Sequence, residues 1–170
     1  MARPSIGDYA SFYQAYIAKT EGCDSVTALI ERYSNEINAF ITSIPDEKAH
    51  YAYAENKWTV NDLLQHMIDA ERIFTYRALT FARKDDKNLP GFDENEYAAT
   101  ANANGRTLQS LKEEFTAVRK STDTFFVSLT EEQLQTQGKA NNNPVTVNAI
   151  AFITFGHVLH HIQILKERYL

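Results

Sequence analysis

Four stretches of about 20 residues each carry apolar side chains at helical spacing, and the residues that break helices fall almost wholly between them. Six glycines and four prolines in 170 residues are too few and too widely spaced for the close-set turns of a strand-rich chain. The expected fold class is therefore all-α. A short first helix is predicted over about residues 5–19, with Tyr9, Phe12, Tyr13 and Tyr16 on one side and Gly22 ending it. A second starts from Asp24 or Ser25 as cap and runs to about Ser43, where Ile44-Pro45 stops it, because the residue before proline is pushed away from helical angles. A third covers about residues 59–83, a fourth about 107–129, and the last runs from about Thr146 to the C-terminus.

The connections are also legible. Residues 85–106 form a long link with a short turn of helix around residues 93–97, and links of that length are often binding loops or lids and as often plain surface. Thr130-Glu131-Glu132-Gln133 reads as a further capped turn, and the asparagine-rich stretch from Gly138 to Pro144 as a loop. A chain of this length makes one domain, residues 1–170, able to bury a core without a metal or disulfide to hold it. Four long helices of equal length suit a four-helix bundle, with the N-terminal helix as an addition.

Charge narrows the function classes. Seventeen basic against 22 acidic residues leave a net charge of −5 with the signs mixed along the chain, which argues against a nucleic-acid partner. The N-terminus lacks the apolar run of a signal peptide and no stretch is expected to reach membrane-spanning length, so no membrane partner is expected either. The only cysteine, Cys23, reads as a spare thiol in a reducing, cytoplasmic setting.

Three of five histidines lie within five residues, in Gly156-His157-Val158-Leu159-His160-His161. His157 and His161 are four apart, about 40° around a helix, so both imidazoles leave one face and can grip one ion. His160 points roughly 60° away from His157 and is expected to be a neighbour or an outer partner. On the third helix His66 shares its arc with Leu63, Ala70, Phe74, Arg77 and Phe81, the core side, where a third imidazole could meet the pair. A histidine on an apolar face can equally be a hydrogen-bonded core residue. Three neutral imidazoles would leave a tetrahedral ion one open position, the arrangement of a catalytic site. Zinc, nickel, iron or copper would all suit such donors. The His-Glu-x-x-His spacing is missing, so any general base lies elsewhere.

Other residues invite two readings each. Glu71 and Asp69 could orient a histidine's second nitrogen or act as base, and Glu71, at the edge of the apolar arc, needs a charge partner. Arg77 would bind an anionic substrate group or pair with Glu71 or a carboxylate of the fourth helix. Trp58, Tyr53 and Tyr51 would line a pocket mouth, unless Trp58 is only a hydrophobic staple. His50 reads as a surface histidine. Ile68, Leu79, Phe152 and Leu159 lie outside the metal-facing arcs and, if exposed, would supply a homodimer surface.

The stretch Lys57-Trp58-Thr59-Val60-Asn61-Asp62-Leu63-Leu64-Gln65-His66, followed by Ile68-Asp69-Ala70-Glu71-Arg72 and the closing Gly156-His157-Val158-Leu159-His160-His161-Ile162, resembles the DinB/YfiT-like superfamily of metal-dependent enzymes. The similarity extends to Tyr76-Arg77-Ala78-Leu79, Leu89-Pro90-Gly91-Phe92 and Glu113-Glu114-Phe115, and covers the chain from about residue 24. The resemblance implies an up-down-down-up four-helix bundle, often dimeric, with one divalent ion held by His66, His157 and His161. It also implies transfer of low-molecular-weight thiols such as bacillithiol or mycothiol, or isomerisation of a mycothiol adduct, on a small-molecule substrate; hydrolysis by a metal-activated water is the other chemistry open to such a site. Against this stands a non-enzymatic bundle with a structural ion or none.

Overall fold

Each long helix begins where a side chain can satisfy its free N–H groups. In the computed structural model, which describes residues 2–170, the caps are Ser25, Thr59, Thr107 and Thr146, each accepting from the backbone three residues on. They open α2 (Val26–Ser43), α3 (Val60–Ala82), α5 (Leu108–Val127) and α7 (Val147–Arg168). At Thr59 the cap is reciprocal, since Asp62 Oδ2 accepts from the Thr59 N–H in return. Three short helices complete the set: α1 (Gln14–Ala18), α4 (Glu94–Thr100) and α6 (Glu131–Gln135).

Contacts between helices fix their directions. Arg72 meets Glu114 and Thr75 meets Thr122, so α3 and α5 run parallel. His66, near the start of α3, meets His161, near the end of α7, so those two are antiparallel. Lys112, early in α5, bonds the Ile44 carbonyl at the end of α2, which makes α2 and α5 antiparallel. Lys166 lies over the Phe40 ring, bringing the C-terminal ends of α7 and α2 together. Both α2 and α3 pack on α5 and α7, so consecutive α2 and α3 sit across the bundle diagonal. The connectivity is up-down-down-up, as the resemblance implied.

The helix α7 lies at the centre: every residue from Val147 to Val158 is buried. Such a helix is apolar all round. It is in fact long and apolar enough to cross a membrane, contrary to the expectation that no stretch would be; 78% of its most apolar 18 residues are buried within the bundle, which accounts for its composition.

Four expectations need correction. The first helix is shorter than predicted: Gly7 at φ 107° and an Asp8 side chain accepting from the Ser5 N–H make a turn, and only a 3-10 turn at Ser11–Tyr13 precedes α1. The asparagine-rich "loop" is a hairpin of β2 (Gln137–Ala140) and β3 (Asn143–Thr146), with β1 (Asn88–Leu89) pairing parallel to β2. Asn141 and Asn142, at φ 50° and 61°, form its two-residue turn, a conformation asparagine tolerates unusually well. Ile68 and Phe152 are fully buried and cannot serve a dimer; of the four residues named for that surface only Leu79 is exposed, beside exposed Tyr76. Tyr51 and Tyr53 pack on Tyr169 instead of lining a pocket mouth.

Candidate metal centre

The site forms where the start of α3 passes the second half of α7. His66 contributes from α3, His157 and His161 from adjacent turns of α7, and all three side chains are at least nine-tenths buried. Their Nε2 atoms converge: 3.0 Å from His66 to His157, 3.2 Å from His66 to His161, and 3.1 Å between His157 and His161. Nitrogens 2.0–2.1 Å from a tetrahedral zinc would stand about 3.3 Å apart, so the triangle is within a few tenths of an ångström of a ligand set. Three neutral rings pointing the same atom at one centre cannot satisfy one another by hydrogen bonds. A shared cation takes all three lone pairs at once.

Electrostatics favour the neutral form that ligation requires. Burial pushes the His66 imidazole down to about 4, opposed by the nearby Glu94 carboxylate. Burial and the neighbouring imidazoles hold His157 and His161 well below the ordinary histidine value. The rings are oriented by packing. Tyr16 stands edge-on to His157 at 5.4 Å, Phe74 does so at 5.6 Å, and Trp58 lies 4.8 Å from His66. The Nδ1 of His161 is buried with no hydrogen-bond partner, so no carboxylate orients that ring.

Above the triangle opens a cleft of about 380 Å³, within the range of small-molecule sites. Its walls are aromatic: Tyr13 and Tyr16 from the N-terminal segment, Trp58, Phe74 and Phe92. Its charged residues besides the histidines are Arg77 and Glu94. Gly156 makes the Tyr16 wall possible. A Cβ there would overlap the Tyr16 carbonyl, so α1 can cross α7 this closely only at glycine.

The residues read from the sequence divide cleanly. His66, His157 and His161 come together and Trp58 lines their cleft, which favours the pocket over the plain staple. His160 stays outside the triangle, its ring 5.1 Å from that of His161 and 5.5 Å from that of Tyr16. His50 is exposed and meets Asn104. Asp69 accepts from Gln65 Nε2 at 2.9 Å, away from the cleft. Glu71 is not brought to the histidines: it lies 1% exposed against Arg119, whose Nε is 3.2 Å from Glu71 Oε1 and 3.3 Å from Asp123 Oδ1. Those contacts are close but misaligned for hydrogen bonds, so the pairing is one of charge. The expectation that Arg77 would pair with Glu71 or an α5 carboxylate fails because Arg119 already fills that role.

Two contributors to the cleft carry little signal in the sequence. Glu94 follows Asp93, whose side chain caps α4 by accepting from the N–H groups of Asn95 and Glu96, and the length of the 85–106 connection was the only hint of its role. Tyr16 was visible as one of four aromatics on a short helix, a pattern that equally marks an ordinary packing face.

Comparison with known proteins gives the family and the fold. Residues 29–165 match the DinB superfamily. A protein of Oceanobacillus iheyensis named "putative metal-dependent hydrolase" is 27% identical over 139 residues, covering 81% of this chain and 79% of its own. Bacillus subtilis YfiT, described as "a probable metal-dependent hydrolase with an unusual four-helix bundle topology", superposes with a TM-score of 0.69 at 14% identity, over 98% of this chain and 90% of that one. A DinB-like protein of the same species, YjoA, gives 0.58 at 20% identity, over 83% and 86%. At these identities the two structures speak to the fold.

Proposed function

This chain belongs to the DinB superfamily, and from that membership and its three-histidine site we propose that it is a metal-dependent hydrolase of small molecules. The observation that carries the reading is the Nε2 triangle, 3.0 to 3.2 Å on a side, at the floor of a cleft and not sealed within the core. A divalent transition ion such as zinc, nickel or iron, when bound there, supplies Lewis acidity and lowers the pKa of a coordinated water.

The chain's own groups divide the remaining work. His66, His157 and His161 hold the ion as neutral donors. Trp58, Phe74 and Tyr16 press on the imidazole rings and keep bulk water from their flanks. Glu94, exposed at the rim, is the only cleft carboxylate and can accept a proton at its side-chain oxygens. It takes the role once open to Glu71, whose carboxylate is engaged by Arg119. Hydrolysis is preferred to thiol transfer because the Oceanobacillus relative carries the name "putative metal-dependent hydrolase". Cys23, buried and unpaired, suits a reducing cytoplasm.

The test combines metal analysis with a broad ester, amide and phosphoester screen on the reconstituted protein. Turnover abolished by His161→Ala with the melting temperature nearly unchanged supports a catalytic ion. A sharp fall in melting temperature with no turnover in any assay instead favours a structural ion in a non-enzymatic bundle.

A further inference from the structure

The chain buries three cations among its described residues, and they are not treated alike. Lys112 meets Asp46 at 2.8 Å, and Arg119 meets Glu71 and Asp123. Arg77, 5% exposed, meets no carboxylate. A buried guanidinium without a counter-charge is costly, and proteins rarely leave one so without a ligand to complete it.

Its surroundings hold it in place without neutralising it. One terminal nitrogen donates to the Pro90 carbonyl at 2.8 Å, which ties the side chain to the 88–92 loop. The guanidinium also lies beside the Tyr13 phenol, opposing the upward push of burial on that hydroxyl. The Nε is buried with no hydrogen-bond partner. Arg77 lines the same cleft as the three histidines, and Ile150, Ile153 and Val145 back it with apolar surface that strengthens its field.

We propose that Arg77 is the anchor for an anionic group of the substrate, a carboxylate or a phosphate, held while the bond to be cleaved lies over the histidines. A guanidinium edge suits either oxyanion through two parallel N–H donors. Eleven residues of α3 separate Arg77 from His66, about 16 Å of rise, and helical side chains lean back toward the N-terminus. The substrate so selected is an acidic small molecule long enough to reach along the cleft from Arg77 to the histidines. Asn141, at the hairpin tip, borders the same end of the cleft beside Gly91. This inference rests on the cleft being where the substrate sits.

The experiment uses the full, metal-loaded chain and follows the Arg77 Nε–H resonance by NMR while inorganic phosphate or succinate is added at constant ionic strength, with metal content measured on the same sample. A saturable shift of that resonance by either anion is expected in the parent, and the affinity, read in parent and variants alike from the backbone amide shifts of Phe74, Gly91 and Asn141 around Arg77, should fall roughly thirtyfold or more in Arg77→Met and less in Arg77→Lys. The tighter of the two anions identifies the substrate group. An Arg77 resonance that does not move, or binding that Arg77→Met leaves intact, overturns the proposal. Loss of metal alone, with the anion response retained, would count against the hydrolase and not against the anchor.

Discussion

Gly156 and Tyr16 touch backbone to backbone: the Tyr16 carbonyl occupies the space where a side chain on Gly156 would begin. That contact lets the N-terminal helix lie across α7 one residue before His157, so one small residue governs a wall of the site. In an ordinary helix interior, glycine to alanine is stabilising by roughly 0.5–1 kcal/mol. Here Gly156→Ala forces α1 outward and is expected to cost about 1–3 kcal/mol net. Thermal melting checks the stability, and limited proteolysis should show residues 2–20 cleaved faster than in the parent. An unchanged or raised melting temperature would contradict the packing described.

Glu71 and Arg119 make the second prediction. Both are buried, with Phe155 stacked 4.3 Å from the guanidinium, and removing Glu71 leaves Arg119 with Asp123 as its remaining counter-charge. Glu71→Ala should cost about 1–3 kcal/mol in denaturant unfolding. Metal stoichiometry should stay at the parent's value, since no contact joins Glu71 to the histidines. Metal loss in a folded Glu71→Ala protein would restore that residue to the site.

Acid stability should depend on Glu114. Burial acts upward on this carboxyl but is outweighed by hydrogen bonds and charge from Arg106 and Arg72, which hold it below its usual range. A carboxylate held lower in the folded chain than in the unfolded one contributes stability above the unfolded pKa, about 4.3, that is lost as pH falls through the folded value. Glu114→Gln should therefore lower stability at neutral pH and flatten its fall below about pH 4.5. Parallel pH–stability curves for the two proteins would refute the assignment.

The long helices were legible because periodicity, caps and breakers agreed: Ser25, Thr59, Thr107 and Thr146 cap where their polar side chains precede apolar runs. The histidine triangle was legible for the same reason, since a helix fixes the angle between His157 and His161. The hairpin was not. Its strands lack the alternation that marks a sheet face, and its register depends on Gly138 seating against Phe81 of α3, a contact 57 residues away in sequence that no local pattern announces. Partner choice was equally hidden. Arg77 and Arg119 both carry one charge, and only their places on neighbouring helices decide which meets Glu71 and which faces the cleft.

If His66, His157 and His161 together hold one divalent ion, metal quantification by mass spectrometry after reconstitution and desalting, on the parent and on each single alanine variant, will show it. One transition ion per chain is expected in the parent. Each variant should be weakened beyond the about 10- to 100-fold that disturbing an outer partner causes, while helical content is retained. A parent that holds no stoichiometric ion, or His66→Ala binding as tightly as the parent, would contradict it.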